Sequence, residues 1–330
     1  MHDARTMEQA ILDAVVAQPD DPSHWLILAD WLEDHDDPRA ELVRLTWALQ
    51  YEPNHAEFGT RQVRIQTLLS RGMIPLVPRR RALEFEFVWI APGSFWIGSP
   101  VGEPFRDGDE ARHRVTVTPG FWMATTPVTQ VQWRSVMGSN PASFAHSGEN
   151  AEAVRGIDDA ELAHLPVESV SRDDALGFCE RLSERLGLPV RLPTEAQWEF
   201  ACRAGTTTAF PFGSILNGEQ ANCDGTTPFG TSKKGPSRER PTAVMSYPPN
   251  PRGLYDLIGN VGEWVLDAYR DDYEKLPELN PIYEVFDARR CVFRGGSWDR
   301  NPIYCRTAYR NHIGPTARTN NIGFRVILTV

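Results

Sequence analysis

The side chains best suited to covalent or metal chemistry in this 330-residue chain are five cysteines, Cys179, Cys202, Cys223, Cys291 and Cys305, and eight histidines. Neither set has the spacing that such chemistry needs. An odd, scattered cysteine set without a C-x-x-C pair is neither a disulfide framework nor a zinc site, and it fits a reducing compartment. The histidines form no H-E-x-x-H helix or metal triad, so His113, His146, His164 and His312 read as polar surface or structural residues. Gly93 to Gly98 lacks the Lys and the spacing of a phosphate-cradling loop. The chain does offer a run from Trp298 to Arg325 rich in Tyr, Asn, Thr and Arg. Tyr supplies rigid amphipathic area and Asn supplies adaptable donors and acceptors, the chemistry of non-covalent contact surfaces.

The composition is that of a globular protein: 41% hydrophobic, 24% charged, with a formal net charge of -10. That acidic balance argues against nucleic acid as a partner. Lys233, Lys234 and Lys275 are the only lysines among 34 Lys+Arg, a bias that a GC-rich genome explains. No run approaches the roughly 18 apolar residues that span a bilayer. Met1-His2-Asp3-Ala4-Arg5 lacks a signal-peptide core. The expectation is a cytoplasmic protein with no membrane partner.

Two regions differ in texture. Residues 1–80 read as helical, with Ile11, Val15 and Val16, then Trp25, Leu28, Ala29 and Leu32, then Leu42, Val43, Leu45 and Leu49 at helical spacing. Asp37-Pro38 is a helix start. Asp20 to Glu41 holds eight acidic residues against Arg39, which is either a solvated face or a docking surface for a protein partner. Arg79-Arg80-Arg81 marks the boundary. In residues 81–330, Phe85 to Ile90 and 113–118 read as strands, and Pro92-Gly93 as a turn. Ser171 to Asp174 opens a helix that stops at Gly187, and Thr194 to Gln197 opens another that stops at Gly205. Gly205 to Pro251 is loop-rich. The larger region is therefore an α+β domain that must fix long loops by buried Trp and Arg, hydrogen bonds or cations.

Residues 22–45, around Ala29-Asp30-Trp31-Leu32-Glu33 and Asp37-Pro38-Arg39, resemble a small helical module of planctomycete and myxobacterial proteins. Further on, six groups of motifs occur in order: Gly93 to Ser99, Pro127-Val128-Thr129, Arg191 to Glu199, Gly253 to Asp256 with Gly259 to Trp264, Arg294 to Trp298, and Ile322 to Arg325. Together they resemble the formylglycine-generating enzyme (sulfatase-modifying factor) family. The resemblance implies a C-type lectin fold, with sparse secondary structure around a twisted antiparallel sheet. True members are copper-dependent oxidases using two cysteines near the Gly-Gly-Ser-aromatic motif. Cys305 matches the second position, but the first is Arg300. A linear copper(I) site needs two soft thiolates, so copper is not expected and no cofactor is required. The resemblance also implies a calcium ion at Asn260, Val261 and Glu263, hard oxygen donors for which a metal-free hydrogen-bonded turn is the alternative.

The segment 298–325 is similar to the variable region of a diversity-generating retroelement protein. Such elements mutate adenines, typically in AAC codons, and an altered AAC codon cannot encode Lys, Glu, Gln, Met or Trp. None of the five occurs from Asp299 to Val330. Ordinary family members also carry Asn-rich segments here. A skeleton of Trp298, Pro302, Cys305, Arg306, Ala308, Arg310, Pro315, Arg318 and Ile322 to Arg325 alternates with mixed residues. The expected ligand-binding set is Trp298, Asp299, Arg300, Asn301, Ile303, Tyr304, Tyr309, Asn311, His312, Ile313, Thr316, Ala317, Thr319, Asn320 and Asn321. The skeleton arginines read as forks that hold loop backbone. The leading expectation is a non-catalytic protein binding a protein or other macromolecule at this surface. The competitors are an oxidoreductase using Cys305 and a signalling or structural adaptor using the acidic helices.

Overall fold

A computed structural model describes residues 2–18, 21–52, 55–285 and 288–329. Four helices lead the chain: α1 (His2–Ala17), α2 (Ser23–Asp34), α3 (Arg39–Tyr51) and α4 (Phe58–Ser70). α3 is central because it is apolar on two faces. Ala40 and Val43 meet Ile11, Leu12, Leu28, Ala29 and Leu32. Leu42 and Leu49 meet Ile65, Leu68 and Leu69 on the other side. Asp37 starts α3 as its type predicts: its carboxylate accepts the Arg39 N–H at 2.9 Å and also pairs with the Arg39 guanidinium.

The remainder is built from β1 (Arg79–Ala82), β2 (Phe85–Ile90), β3 (Gly93–Ile97), β4 (His113–Val117), β5 (Phe121–Ala124), α5 (Gln130–Met137), α6 (Asp159–Ala163), α7 (Arg172–Leu186), β6 (Val190–Arg191), α8 (Glu195–Arg203), β7 (Gly262–Ala268), β8 (Cys291–Arg294), β9 (Asn311–Ile313), β10 (Ile322–Phe324) and β11 (Ile327–Thr329). One sheet runs β1-β2-β5-β11-β6 and is antiparallel throughout. A second runs β10-β7-β8-β9, with β10 parallel to β7. β3 and β4 form a separate hairpin. Arg79-Arg80-Arg81 is therefore an edge strand, with Arg79 paired to Glu86 at 2.6 Å.

α7 and α8 follow their capping boxes. The Ser171 and Thr194 side chains each accept an N3 N–H while the N3 side chain returns to the cap. α7 stops at Gly187 as expected, whereas α8 stops one residue before Gly205, at a left-handed Ala204. Gly93 is not a turn residue but the first residue of β3. Between α8 and β7, residues 205–251 carry no helix or named strand among the described residues. Buried Asn217, Asn222 and Asn250 hold that stretch through side-chain bonds to backbone.

The N-terminal helices pack on this domain. Gly205, at φ +86, lies against Leu49 of α3, where an added Cβ would come within 3.2 Å of the Leu49 Cβ. Gln66 of α4 donates to Pro211 O at 2.7 Å.

Candidate functional site

The segment from β8 to β10 divides by burial along the line drawn from residue type. Pro302, Cys305, Arg306, Ala308, Arg310 and Ile322 to Arg325 are buried, while Asp299, Arg300, Tyr304, His312 and Thr316 are exposed. Asn301, Ile303, Tyr309, Asn311, Ile313, Ala317, Thr319 and Asn320 are half-buried. Exceptions run both ways. Among the skeleton residues, Arg318 is exposed and pairs with Asp174 at 2.8 Å, and Pro315 is half-buried. Thr307 and Asn321 are buried. Asn321 precedes β10, and its amide is spent on the Asp299 carboxylate at 3.0 Å.

Four buried arginines hold this segment. Arg306 spans Glu110 at 2.6 and 2.7 Å, Glu103 at 2.8 Å and the carbonyl of Phe105 at 2.7 Å. Arg310 grips both oxygens of Glu195 at 2.7 and 2.9 Å. Arg325 grips both oxygens of Glu263 at 2.6 and 2.7 Å and reaches Tyr255 O at 2.7 Å. Arg294 meets Glu199 and the carbonyls of Thr307, Ala308 and Tyr309. The expectation that the C-terminal arginines mainly brace loop backbone is thus corrected. Arg306, Arg310 and Arg325 lock chiefly onto carboxylates from distant elements, and Arg294 does most of the backbone bracing. Burial raises an acid's pKa, but at Glu195 the Arg310 and Arg294 charges prevail and hold it below its ordinary value. Next to it, burial and the Glu195 charge push Asp267 up to about 7.

Over this frame lies a cleft of about 310 Å³. It gathers Arg300, Tyr304, Tyr309, Asn311, His312, Ile313, Thr319 and Asn321 from the expected set. Phe293 and Ile322 complete its lining; Ile322 belongs to the skeleton, and Phe293 lies outside the expected set. Tyr304 and Tyr309 pack edge to face with ring centroids 5.2 Å apart, and Tyr304 is 40% exposed. His312 lies 3.9 Å from the ring of Tyr269, and burial and the Arg290 charge lower its pKa. At neutral pH it therefore faces the cleft as a neutral imidazole.

The other expected residues serve the frame or lie outside the cleft lining. Trp298 packs edge-on against Phe144 and donates to Asn320 O at 3.2 Å. Asn301 caps a short turn by accepting the Ile303 N–H at 3.1 Å. Thr316 and Ala317 sit in the loop after β9, where Ala317 N donates to Gly314 O at 3.1 Å.

Cys305 is wholly buried, and burial raises its thiol well above its ordinary pKa. Gly296, at φ +70, approaches so closely that a Cβ there would lie 2.4 Å from the Cys305 sulfur. Arg300 extends into solvent instead of supplying a second soft ligand.

The calcium-type turn is hydrogen-bonded as it stands. Both Glu263 oxygens carry the Arg325 fork, and one also accepts the Trp198 indole N–H at 2.7 Å. Asn260 Oδ1 accepts the Thr242 N–H at 3.0 Å. Buried Asn222 Oδ1 beside it has no donor among the described residues, but one free oxygen is not a calcium shell. Asn260, Val261 and Glu263 therefore do not present a donor set that fits the ion. The acidic N-terminal helices are also largely self-paired: Asp30 and Glu33 bind Arg44, Glu41 binds Arg64, and Asp37 and Glu8 bind Arg39.

The pattern of the sulfatase-modifying factor enzyme 1-like domain matches residues 75–330. The formylglycine-generating enzyme of Mus musculus is 30% identical over 291 residues, covering 75% of this chain and 76% of that protein. Serine/threonine-protein kinase pkn1 of Chlamydia pneumoniae is 30% identical over 75% of this chain, which spans only 38% of the kinase's length. Among solved structures, PvdO from Pseudomonas aeruginosa superimposes with a TM-score of 0.63 at 26% identity, covering 78% of this chain and 99% of that one. Treponema denticola variable protein 1 gives 0.61 at 26% identity, covering 77% and 99%.

Proposed function

Since this chain belongs to the sulfatase-modifying factor enzyme 1-like family, with the C-type lectin-like fold of a variable protein, we propose that it is a non-catalytic binding member. On this reading the cleft around Tyr304 and Tyr309 takes a protein or other macromolecular ligand. The observation that carries it is the division of residues 298–325. Most of the skeleton is buried and clamped by arginine–carboxylate forks, while eight of the fifteen expected residues, all but Asn321 of them at least partly exposed, line a shared cleft. A frame of that kind tolerates exchange at the exposed positions, because none of the buried carboxylates depends on them.

Diversification of those positions belongs to the same proposal. It is tested in the genome. A near-identical copy of the bases encoding residues 298–325, differing at adenines and lying beside a reverse transcriptase gene, supports it. Absence of such a copy removes diversification and leaves the binding site standing.

The catalytic relatives keep a second reading in play, an oxidoreductase using Cys305. Copper titration with a peptide-oxidation assay separates the two. The binding reading expects no turnover and no thiolate-to-copper absorption, and requires that Cys305→Ser leave ligand affinity unchanged.

A further inference from the structure

The turn Asn250-Pro251-Arg252-Gly253 carries an arginine outside all the charge networks above. The turn is rigid. Gly253 N donates to Asn250 O at 2.9 Å, and Asn250 Oδ1 accepts the N–H groups of Arg252 and Leu254 at 3.0 and 3.1 Å. The Asn250 amide is anchored on Ala201 O at 2.8 Å and Cys202 O at 3.1 Å. Arg252 is thereby delivered to one place. Its guanidinium lies 4.0 Å above the Phe200 ring, donates to Phe200 O at 3.1 Å and reaches Gln50 of α3 at 3.4 Å.

Arg252 is only 9% exposed. Arg203, Arg294, Arg306, Arg310 and Arg325 are buried still more deeply, and each meets a carboxylate. Among the described residues no carboxylate pairs with Arg252. Burial lowers its pKa to about 10, which leaves it charged at neutral pH. A guanidinium has five N–H donors, and the two acceptors it meets here are both neutral. A buried cation without a counter-charge is costly, so the site calls for an anion.

The same guanidinium borders a small cavity of about 50 Å³ at the seam between the helices and the domain. Trp25, Trp47 and Tyr51 wall it from the helical side, and Val77 and Trp89 from the other. Trp89 brings a second signal, because its buried indole N–H has no acceptor among the described residues. Arg252 and Trp89 both line this cavity, and no carboxylate does; the Tyr51 phenol, the titratable acid in the lining, opposes the effect of burial on Arg252.

We propose that this seam is a binding site for one small monovalent anion, chloride or a formate-sized carboxylate, with Arg252 as its counter-charge. The cavity holds only a few heavy atoms, and a doubly charged oxyanion would need a second cation there. The anion would join Arg252 of the domain to the wall formed by α3, so its occupancy would clamp the helical module in place.

The test uses the full chain at constant ionic strength with gluconate as the bulky reference anion. Titrating chloride or formate should raise Tm saturably and slow amide exchange in α3. The anion that saturates at the lower concentration is the ligand. Arg252→Met, which keeps the volume and removes the charge, should abolish that dependence. Arg252→Gln is read in the same way if the Met variant fails to fold. A wild type with no saturable response overturns the proposal, as does a response that survives in the charge-free variants.

Discussion

Single residues divide here into those that present chemistry and those that hold it still. Tyr304 and Tyr309 present it. Replacing either by Ala should weaken ligand binding by about 2 kcal/mol or more, roughly 30-fold, as for a buried aromatic anchor. The Tm should stay within a degree or two of wild type, which a pull-down followed by affinity and unfolding measurements would check. Glu168 holds the frame. Burial pushes its pKa up to about 7 even though it accepts the Phe144 N–H at 2.8 Å and the Ser169 hydroxyl at 2.7 Å. An acid with a raised folded-state pKa is fully compatible with folding below about pH 4.5, where both states are protonated. Between there and about pH 7 the unfolded chain ionises first and stability falls. Glu168→Gln should therefore flatten the pH–stability curve across that window by roughly 3 kcal/mol, read by denaturant unfolding at several pH values.

At the scale of elements, the loop between β3 and β4 is fastened to the C-terminal segment by Arg306. Arg306→Met leaves Glu110 and Glu103 buried without their cation. It should cost about 3–5 kcal/mol and speed amide exchange from Arg106 to Glu110 before other regions loosen. This coupling marks where the sequence stops being legible. α7 and α8 could be read because their signals are local: a cap, an N3 partner and an apolar face lie within one short run. β2 could be read from its run of aromatic and β-branched residues, and β4 from alternation. β3 was missed because it is short and opens on glycine, and its identity as a strand depends on pairing with β4. The arginine partners were out of reach for the same reason. Nothing near Glu110, Glu195 or Glu263 in the chain announces a buried arginine partner until the fold brings them to Arg306, Arg310 and Arg325 from 196, 115 and 62 residues away. Glu263 shows the cost of reading a motif without its partner: its carboxylate type suits calcium, and its place in the structure gives it to Arg325.

Across the whole molecule, the helical module and the lectin-like domain meet through a narrow fit. Gly205→Ala would put a Cβ against Leu49 in a left-handed backbone. The strain alone is roughly 1–2 kcal/mol, so Tm should drop and exchange in α3 should rise. The long-range forks also govern how the chain can be made. β11 lies between β5 and β6 in the first sheet, and Arg306, Arg310 and Arg325 complete acids from much earlier in the chain. While a ribosome is still translating the preceding residues, Glu110 and Glu263 lack the forks of Arg306 and Arg325, Glu195 has Arg294 but not Arg310, and β6 has no neighbour. The lectin-like domain therefore cannot close as it emerges, and nascent chains stalled before Arg306 should remain open to protease along this whole region. Any genetic process that rewrites residues 298–325 acts on the stretch that decides whether the finished polypeptide folds at all, so variants that lose a fork should be removed by proteolysis before their binding surface is ever displayed.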